Sequence, residues 1–232
     1  MGWEPGTGTF SISDAELGRI TAGNLVVGDA TNGDITVDNV TPANSNNIAG
    51  TTTLNATKSS SKVTFANNAS TFNALTVNAG NGIAANATVT ADTGNMVLNG
   101  GTGGITGTGA TTLTATAGGL TLNSSLNSTG SASLTAGTGI TLANGVNISS
   151  GGILSLATTL GDITAQGAVA VSSETGISLN NNFTSAGAAT FDADSNDDGT
   201  GDFTVATGKT VSTGNNSLSI TGGDIVLTGS LD

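Results

Sequence analysis

Residues 119–139 and 139–161 carry nearly the same sentence twice, GLTLNSSLNSTGSASLTAGTG and then GITLANGVNISSGGILSLATTLG. Leu120 and Leu122 of the first copy correspond to Ile140 and Leu142 of the second, an offset of 20 residues. At the same offset Leu126 falls on Val146 and Leu134 on Leu154. A repeat of this length means that each copy is one small unit that cannot bury its apolar side alone and must lay it on its neighbours. Solenoids, propellers and arrays are therefore the folds to consider first.

The apolar pattern narrows the choice. Triplets of apolar, polar and apolar residues recur at 35–37 (ITV), 63–65 (VTF), 120–122 (LTL), 140–142 (ITL), 177–179 (ISL), 203–205 (FTV) and, with an apolar middle, 225–227 (IVL). Strand side chains alternate in direction, so the outer two of each triplet point inward and the middle one outward. A second set of strands ends in small polar turns and is anchored on Leu54, Val77, Leu113, Leu134, Leu156, Val171 and Ile220. Leu54 to Val77 is 23 residues, Leu113 to Leu134 is 21 and Leu134 to Leu156 is 22. The 15 residues from Leu156 to Val171 read as a shortened or weaker coil. Three short strands per lap predict a parallel β-helix (β-solenoid) of triangular section, with coils of about 21 residues. Residues 10–232 form its single repeat domain, behind a tail at 1–9 in which Trp3 could cover the first coil. Nine or ten coils stacked at the usual strand separation give a rod of roughly 45 Å.

Composition raises one objection. Charged residues are 9% and there are 36 glycines, which would suit a flexible linker. Yet 36% of the chain is apolar and falls at every second position, a pattern a disordered chain has no reason to keep. Gly and Asn suit corners that need positive φ, and Thr, Val and Ile suit strands. The many Ala residues predict an interior too narrow for large side chains. Pro5 and Pro42 both precede the regular repeats, as a ladder of backbone hydrogen bonds demands. Ser13 and Glu16 have capping-box spacing, which allows one helical turn over residues 15–18. A β-sandwich would need antiparallel hairpins rather than near-identical laps.

Residues 12–28, ISDAELGRITAGNLVVG, resemble a module of large bacterial exoproteins of the filamentous haemagglutinin-like type. GDITV at 33–37, SLTAGTGITL at 133–142 and FDADSNDDGTGDFTV at 191–205 are similar to segments of the same proteins. The resemblance implies a right-handed solenoid, export to the cell surface or medium, and a role in adhesion or an extracellular matrix. The Asn-Pro-Asn signatures of that family's secretion domain do not occur here. The segment is therefore expected to belong to a longer chain that carries its export signal elsewhere.

Charge and side-chain inventory remove several function classes from the expectation. Net charge is −12, with Arg19, Lys58, Lys62 and Lys209 the only cations, so nucleic acid finds no basic footprint and an anionic membrane surface is repelled. No apolar run approaches the ~18 residues of a spanning helix, so no membrane insertion is expected. There is no Cys for a disulfide or thiolate site, and no His or Cys for base or nucleophile chemistry; the chain is not expected to be an enzyme.

Three features remain as candidate sites. Residues 192–202, DADSNDDGTGD, place Asp192, Asp194, Asn196 and Asp198 at alternate positions, as a calcium loop spaces its ligands. Asp197 stands where such a loop needs Gly, and no Glu closes it, so a solvated corner insertion is the competing reading. Outward Thr and Ser runs at 51–53, 111–116 and 131–135 would serve ice binding only as a strict array on one face. Their outward neighbours vary, so they read as ordinary exposed strand residues. Insertions at 38–49 and 192–202 could hold a host or cell-surface glycan or protein.

The role expected from all this is a structural rod or stalk of a large secreted or surface-attached bacterial protein. Two alternatives stand beside it. One is a self-assembling extracellular fibre subunit that pairs end to end with flanking repeats or other copies of itself, because a solenoid leaves strand edges free at its tips. The other is a carbohydrate- or receptor-binding module.

Overall fold

A computed structural model describes residues 10–232; the expected tail at 1–9, with Trp3 and Pro5, lies outside the described residues. The chain winds through three faces in a fixed order. Face I has ten strands, from Phe10–Ser13 to Leu218–Thr221, and face III has ten, from Leu25–Asp29 to Ser230–Leu231. Face II has eight, from Ser70–Phe72 to Ile225–Leu227. Each strand pairs in parallel with the strand one lap away, as Gly119–Leu122 does with Gly139–Leu142 and Thr111–Ala115 with Ala132–Ala136. The protein is a parallel β-solenoid in which eight coils carry a strand on all three faces.

Alternation along each strand builds the core. Thr111–Ala115 and Ala132–Ala136 both bury every second residue. Leu113, Leu134, Leu156 and Leu179 stack in register on face II, each at 0% exposure. Because each inward side chain rests on its counterparts in the laps above and below, the ladders and the core are the same object.

The interior is wider than the Ala content predicted. Phe65, Phe72, Phe183, Phe191 and Phe203 are all fully buried within it. Three of them, one from each face, meet near the axis. Phe183 and Phe191 lie 5.0 Å apart between ring centroids at 79°, and Phe191 and Phe203 5.0 Å apart at 46°.

The register corrects the repeat alignment in two places. Leu120 and Leu122 do sit opposite Ile140 and Leu142, but Leu126 pairs with Ile148, not Val146, and Leu134 with Leu156, not Leu154. The second copy has a longer corner after Leu142, and Gly145 turns it at φ 77°. A slip of two residues keeps every inward residue inward, so the polarity pattern cannot reveal it. The spacing of 15 between Leu156 and Val171 is also not a short coil. Leu156 lies on face II opposite Leu179, whereas Val171 lies on face I between Ile148 and Phe191.

Corners are closed by side chains. Ser128, Ser150 and Ser173 stack in register at buried positions. Their hydroxyls donate to the carbonyls of Gly109 at 2.9 Å, Gly130 at 2.8 Å and Gly152 at 2.6 Å. On face III an amide ladder runs outside the core: Asn78 Nδ2 donates to Asn55 Oδ1 at 2.8 Å, Asn99 to Asn78 at 2.6 Å and Asn123 to Asn99 at 2.5 Å. Gly118 has no room for a side chain, because a Cβ there would lie 2.2 Å from the Gly94 carbonyl oxygen in the preceding lap.

In the two coils nearest the N-terminus, face II is replaced by single helical turns, α1 (Asp14–Leu17) and α2 (Pro42–Ser45). They stack on each other, and α2 in turn stacks on the Ser70–Phe72 strand. The capping spacing is realised: the Glu16 carboxylate accepts from the Ser13 N–H at 3.0 Å and from its hydroxyl at 2.7 Å. Pro42 stands in the first turn of α2, where a missing N–H costs nothing.

Candidate functional site

A rod of this kind offers three places for recognition: the corner insertions, the flat faces and the tips. The largest acidic feature is the corner at 192–202, which lengthens the lap between Phe191 and its face I partner Ile220. Asp192 ends the Ala189–Asp192 strand, and its Oδ1 is buried without a hydrogen-bond partner. Asp194 is 7% exposed, and its carboxylate closes the loop on itself: Oδ1 accepts the Asp198 N–H at 3.1 Å and Oδ2 the Gly199 N–H at 2.8 Å. Asp198 accepts the Thr200 N–H at 3.0 Å and the Thr200 hydroxyl, while Asn196 Nδ2 donates to Asp198 Oδ2 at 3.0 Å. Asp197 takes φ 56° and Gly199 φ 82°, the left-handed conformations that turn the chain back.

The four residues read from sequence as calcium ligands, Asp192, Asp194, Asn196 and Asp198, thus share one corner but not one cage. Asp194 and Asp198 direct their oxygens at N–H and O–H donors of the loop itself. Among the described residues no three His, Cys, Asp or Glu side chains converge as a metal site. The Thr200 hydroxyl holds the Asp198 carboxyl below the usual carboxylate range against the opposing effect of burial, with help from the Thr200 N–H and the Asn196 amide.

The insertion at 38–49 is not an open loop. Val40, Ser45 and Ile48 are buried at 1%, 1% and 0% exposure, so this stretch is the missing side of the second coil. Asp14 of α1 ties it down: its Oδ1 accepts the Thr41 N–H at 2.6 Å and hydroxyl at 2.9 Å, and Oδ2 accepts Asn44 Nδ2 at 2.6 Å. Desolvation pushes the Asp14 carboxyl up, but these three bonds outweigh it and hold the group below its ordinary value. The same economy recurs at exposed corners. Hydrogen bonds from Thr31 and Asn32 lower Asp29, those from Asn67 and Asn68 lower Asp38, and those from Ser13 lower Glu16. These carboxylates work as corner clasps.

The flat faces show an order that the sequence concealed. Outward residues vary when all strands are pooled, but on face III Thr53, Thr76, Thr121, Thr141, Thr164 and Thr184 stand in one row. Val97 interrupts it between Thr76 and Thr121. Knowing which triplet belongs to which face would have exposed the row, and period-two triplets look alike on every face. On face I a polar groove of about 270 Å³ lies along Asn127, Ser149, Ser172, Glu174 and Ser195, with Glu174 its one ionisable group.

The tips differ from one another. At the N-terminal end the inward Leu17 and Val27 are 0% and 9% exposed. At the C-terminal end Ile225, Leu227 and Leu231 are 49%, 42% and 43% exposed. Comparisons of the chain with protein-family models, with curated proteins and with solved structures found no match.

Proposed function

We propose that this chain is a rigid shaft, a rod or stalk segment of a large secreted or cell-surface bacterial protein of adhesin type. The observation that carries the reading is the uninterrupted stacking: strands on two faces and then three continue lap after lap in one register across the described length. A load along the axis is borne by three ladders in parallel, so extending the rod requires many backbone bonds to yield together. The exterior suits exposure to the medium. It is rich in Thr, Ser and Asn and nearly free of cations, and a net charge of −12 keeps neighbouring rods apart. Hydroxyl and amide groups on corners and faces are spent on holding laps together.

The test is mechanical. The chain is displayed on a bacterial surface between an anchor and a small reporter domain, and the reporter's height is measured by fluorescence quenching from the membrane plane. A shaft holds the reporter roughly 45 Å further out than a direct fusion does. Removing one lap, residues 120–139, shortens the height by one strand separation of about 4.8 Å without unfolding. A reporter that collapses to the surface, or a lap deletion that abolishes folding, would falsify the reading.

A further inference from the structure

An asparagine followed by glycine is prone to cyclise, because no Cβ shields the glycine nitrogen from the asparagine side chain. The chain has four such pairs, at 32–33, 81–82, 99–100 and 144–145. Three of them are restrained by the fold. Asn99 belongs to the amide ladder, donating to Asn78 and accepting from Asn123, and the Gly100 N–H donates to Ser124 Oγ at 2.9 Å. Asn32 is held at both ends of its amide: Oδ1 accepts the Asp29 N–H at 2.5 Å and Nδ2 donates to the Gly33 carbonyl at 2.8 Å. Asn81 has its own N–H on the Ser61 carbonyl at 2.8 Å, and the Gly82 that follows it is buried.

Asn144–Gly145 differs on every count. Both residues are exposed, and a Cβ on Gly145 would meet nothing within 4 Å. Neither the Asn144 amide nor the peptide group joining the two residues makes a hydrogen bond among the described residues. That peptide can therefore swing its nitrogen toward the Asn144 side chain without breaking a bond. The corner around it is fenced on both sides. The Ala143 N–H donates to the Leu122 carbonyl at 2.9 Å and the Asn147 N–H to Ser125 Oγ at 3.0 Å, while the Val146 N–H closes the turn on the Ala143 carbonyl at 3.1 Å.

We propose that Asn144 is a site of spontaneous covalent modification, converting to aspartate and isoaspartate well ahead of the other three pairs in the folded rod. Solvent hydroxide takes the Gly145 N–H proton, and the nitrogen attacks Asn144 Cγ. The new C–N bond closes a succinimide ring, and the side-chain amide leaves as ammonia with a proton from water. Water then adds to one of the two ring carbonyls. Opening at the side-chain carbonyl gives aspartate; opening at the backbone carbonyl gives isoaspartate, in which the chain runs on through the side chain. No oxidant or reductant is needed, and the net change is amide plus water to carboxylate plus ammonium. Either product turns a neutral side chain into an anion at neutral pH. The isoaspartyl form lengthens the backbone by a methylene, which a corner absorbs and a strand would not.

The experiment ages the intact chain in warm, mildly alkaline buffer and follows each Asn-Gly peptide by mass spectrometry, with isoaspartate methyltransferase labelling to score the rearranged product. Asn144 should convert at least about tenfold faster than Asn32, Asn81 or Asn99. Its rate should rise with pH, because the reaction begins with loss of the Gly145 proton. The same chain aged in denaturant gives the intrinsic rate of each pair, and there the spread should collapse. Asn123→Ala/Ser124→Ala frees Asn99 Oδ1 and the Gly100 N–H, and should bring Asn99 toward the rate of Asn144. After conversion, the Gly139–Leu142 and Ile148–Ser150 strands on either side should keep their hydrogen-exchange protection. An Asn144 that survives ageing in the folded chain, another pair that converts as fast as it does, or loss of protection in those two strands would overturn the proposal.

Discussion

Phe191→Ala asks whether the rod's interior is a close-packed core. The ring is fully buried between Phe183 and Phe203, at 5.0 Å from each. The three residues come from faces III, I and II, so the cluster is where all three ladders lean on one another. Collapse around the missing ring is restricted, because backbone hydrogen bonds on three sides fix the separation of the laps. The cost should therefore fall in the upper part of the ~3–5 kcal/mol found for buried Phe→Ala changes. The two ring–ring contacts account for about 1–3 kcal/mol within that figure. In a stack where each lap touches only its neighbours, the damage should also stay local. Hydrogen exchange followed by mass spectrometry reads both quantities. Amides from Ile177 to the C-terminus should lose protection by about 4 kcal/mol, while those between Val63 and Thr135 keep theirs. Thr190→Ala, one residue away but exposed, should change protection by less than about 0.5 kcal/mol. A loss below about 1 kcal/mol for Phe191→Ala would mean that the aromatic cluster is not packed as described. An equal loss along the whole rod would refute nearest-neighbour stacking.

Four further outcomes follow from the corners and ladders. Asn78→Ala removes a donor to Asn55 and an acceptor from Asn99, so it should cost about 1–2 kcal/mol, and Asn78→Asp should cost a similar amount because it cannot donate; chemical denaturation of the two variants checks this. Asp194→Ala strands the Asp198 and Gly199 N–H groups and should destabilise the adjoining laps by about 1–3 kcal/mol. The parent's melting temperature should be indifferent to millimolar calcium, and a calcium-dependent rise lost in Asp194→Ala/Asp198→Ala would show that the loop opens to form a site. Acid should destabilise the fold. Asp14, Asp29, Asp38, Asp198 and Glu16 are all held below their ordinary values of 3.8 and 4.5, so the folded chain binds fewer protons than the unfolded one. Their stabilisation is complete above those ordinary values and drains away as pH falls through the lower folded ones. With no His to titrate, melting temperature should be level from about pH 5 to 8 and drop below about pH 4. Stability that rose on acidification would contradict the clasps.

Much of the architecture was legible because a solenoid writes its fold locally. Leu120 and Leu122 opposite Ile140 and Leu142, and Leu113 opposite Leu134 opposite Leu156, were readable from spacing alone. Face assignment was not. Triplets 35–37, 120–122 and 177–179 have the same polarity yet lie on faces I, III and II. Nothing in an alternating pattern says which side of a triangle it belongs to. That ambiguity hid the Thr row on face III and turned the step from Leu156 to Val171 into an apparent short coil. The helical turn after Ser13 was visible through its cap, whereas α2 was not, because Thr41-Pro42 carries no Glu three residues on. The acidic corner was legible as a run of alternating Asp and Asn, but the bonds that close it were not. Whether a carboxylate faces a cation or its own backbone depends on where the loop's N–H groups point, which residue order leaves open.

The pattern of variation along the rod separates what is constrained from what is free. Between paired residues the lap length runs from 19, Ser70 to Val89, to 29, Phe191 to Ile220. Every added residue goes into a corner, and the strands on either side keep their register. A corner can lengthen at small cost because closing a slightly larger loop adds little entropy, and Asp and Asn side chains such as Asp194, Asp198 and Asp38 supply the local bonds that rigidify it. A strand cannot lengthen or slip by one residue, since that would turn a whole row of inward side chains to solvent. The faces are therefore held to one register, while the corners are free to vary in length. Replacing the corner at 192–202 by a shorter one should leave the Ala189–Asp192 and Leu218–Thr221 strands beside it paired, and hydrogen exchange of their amides checks this.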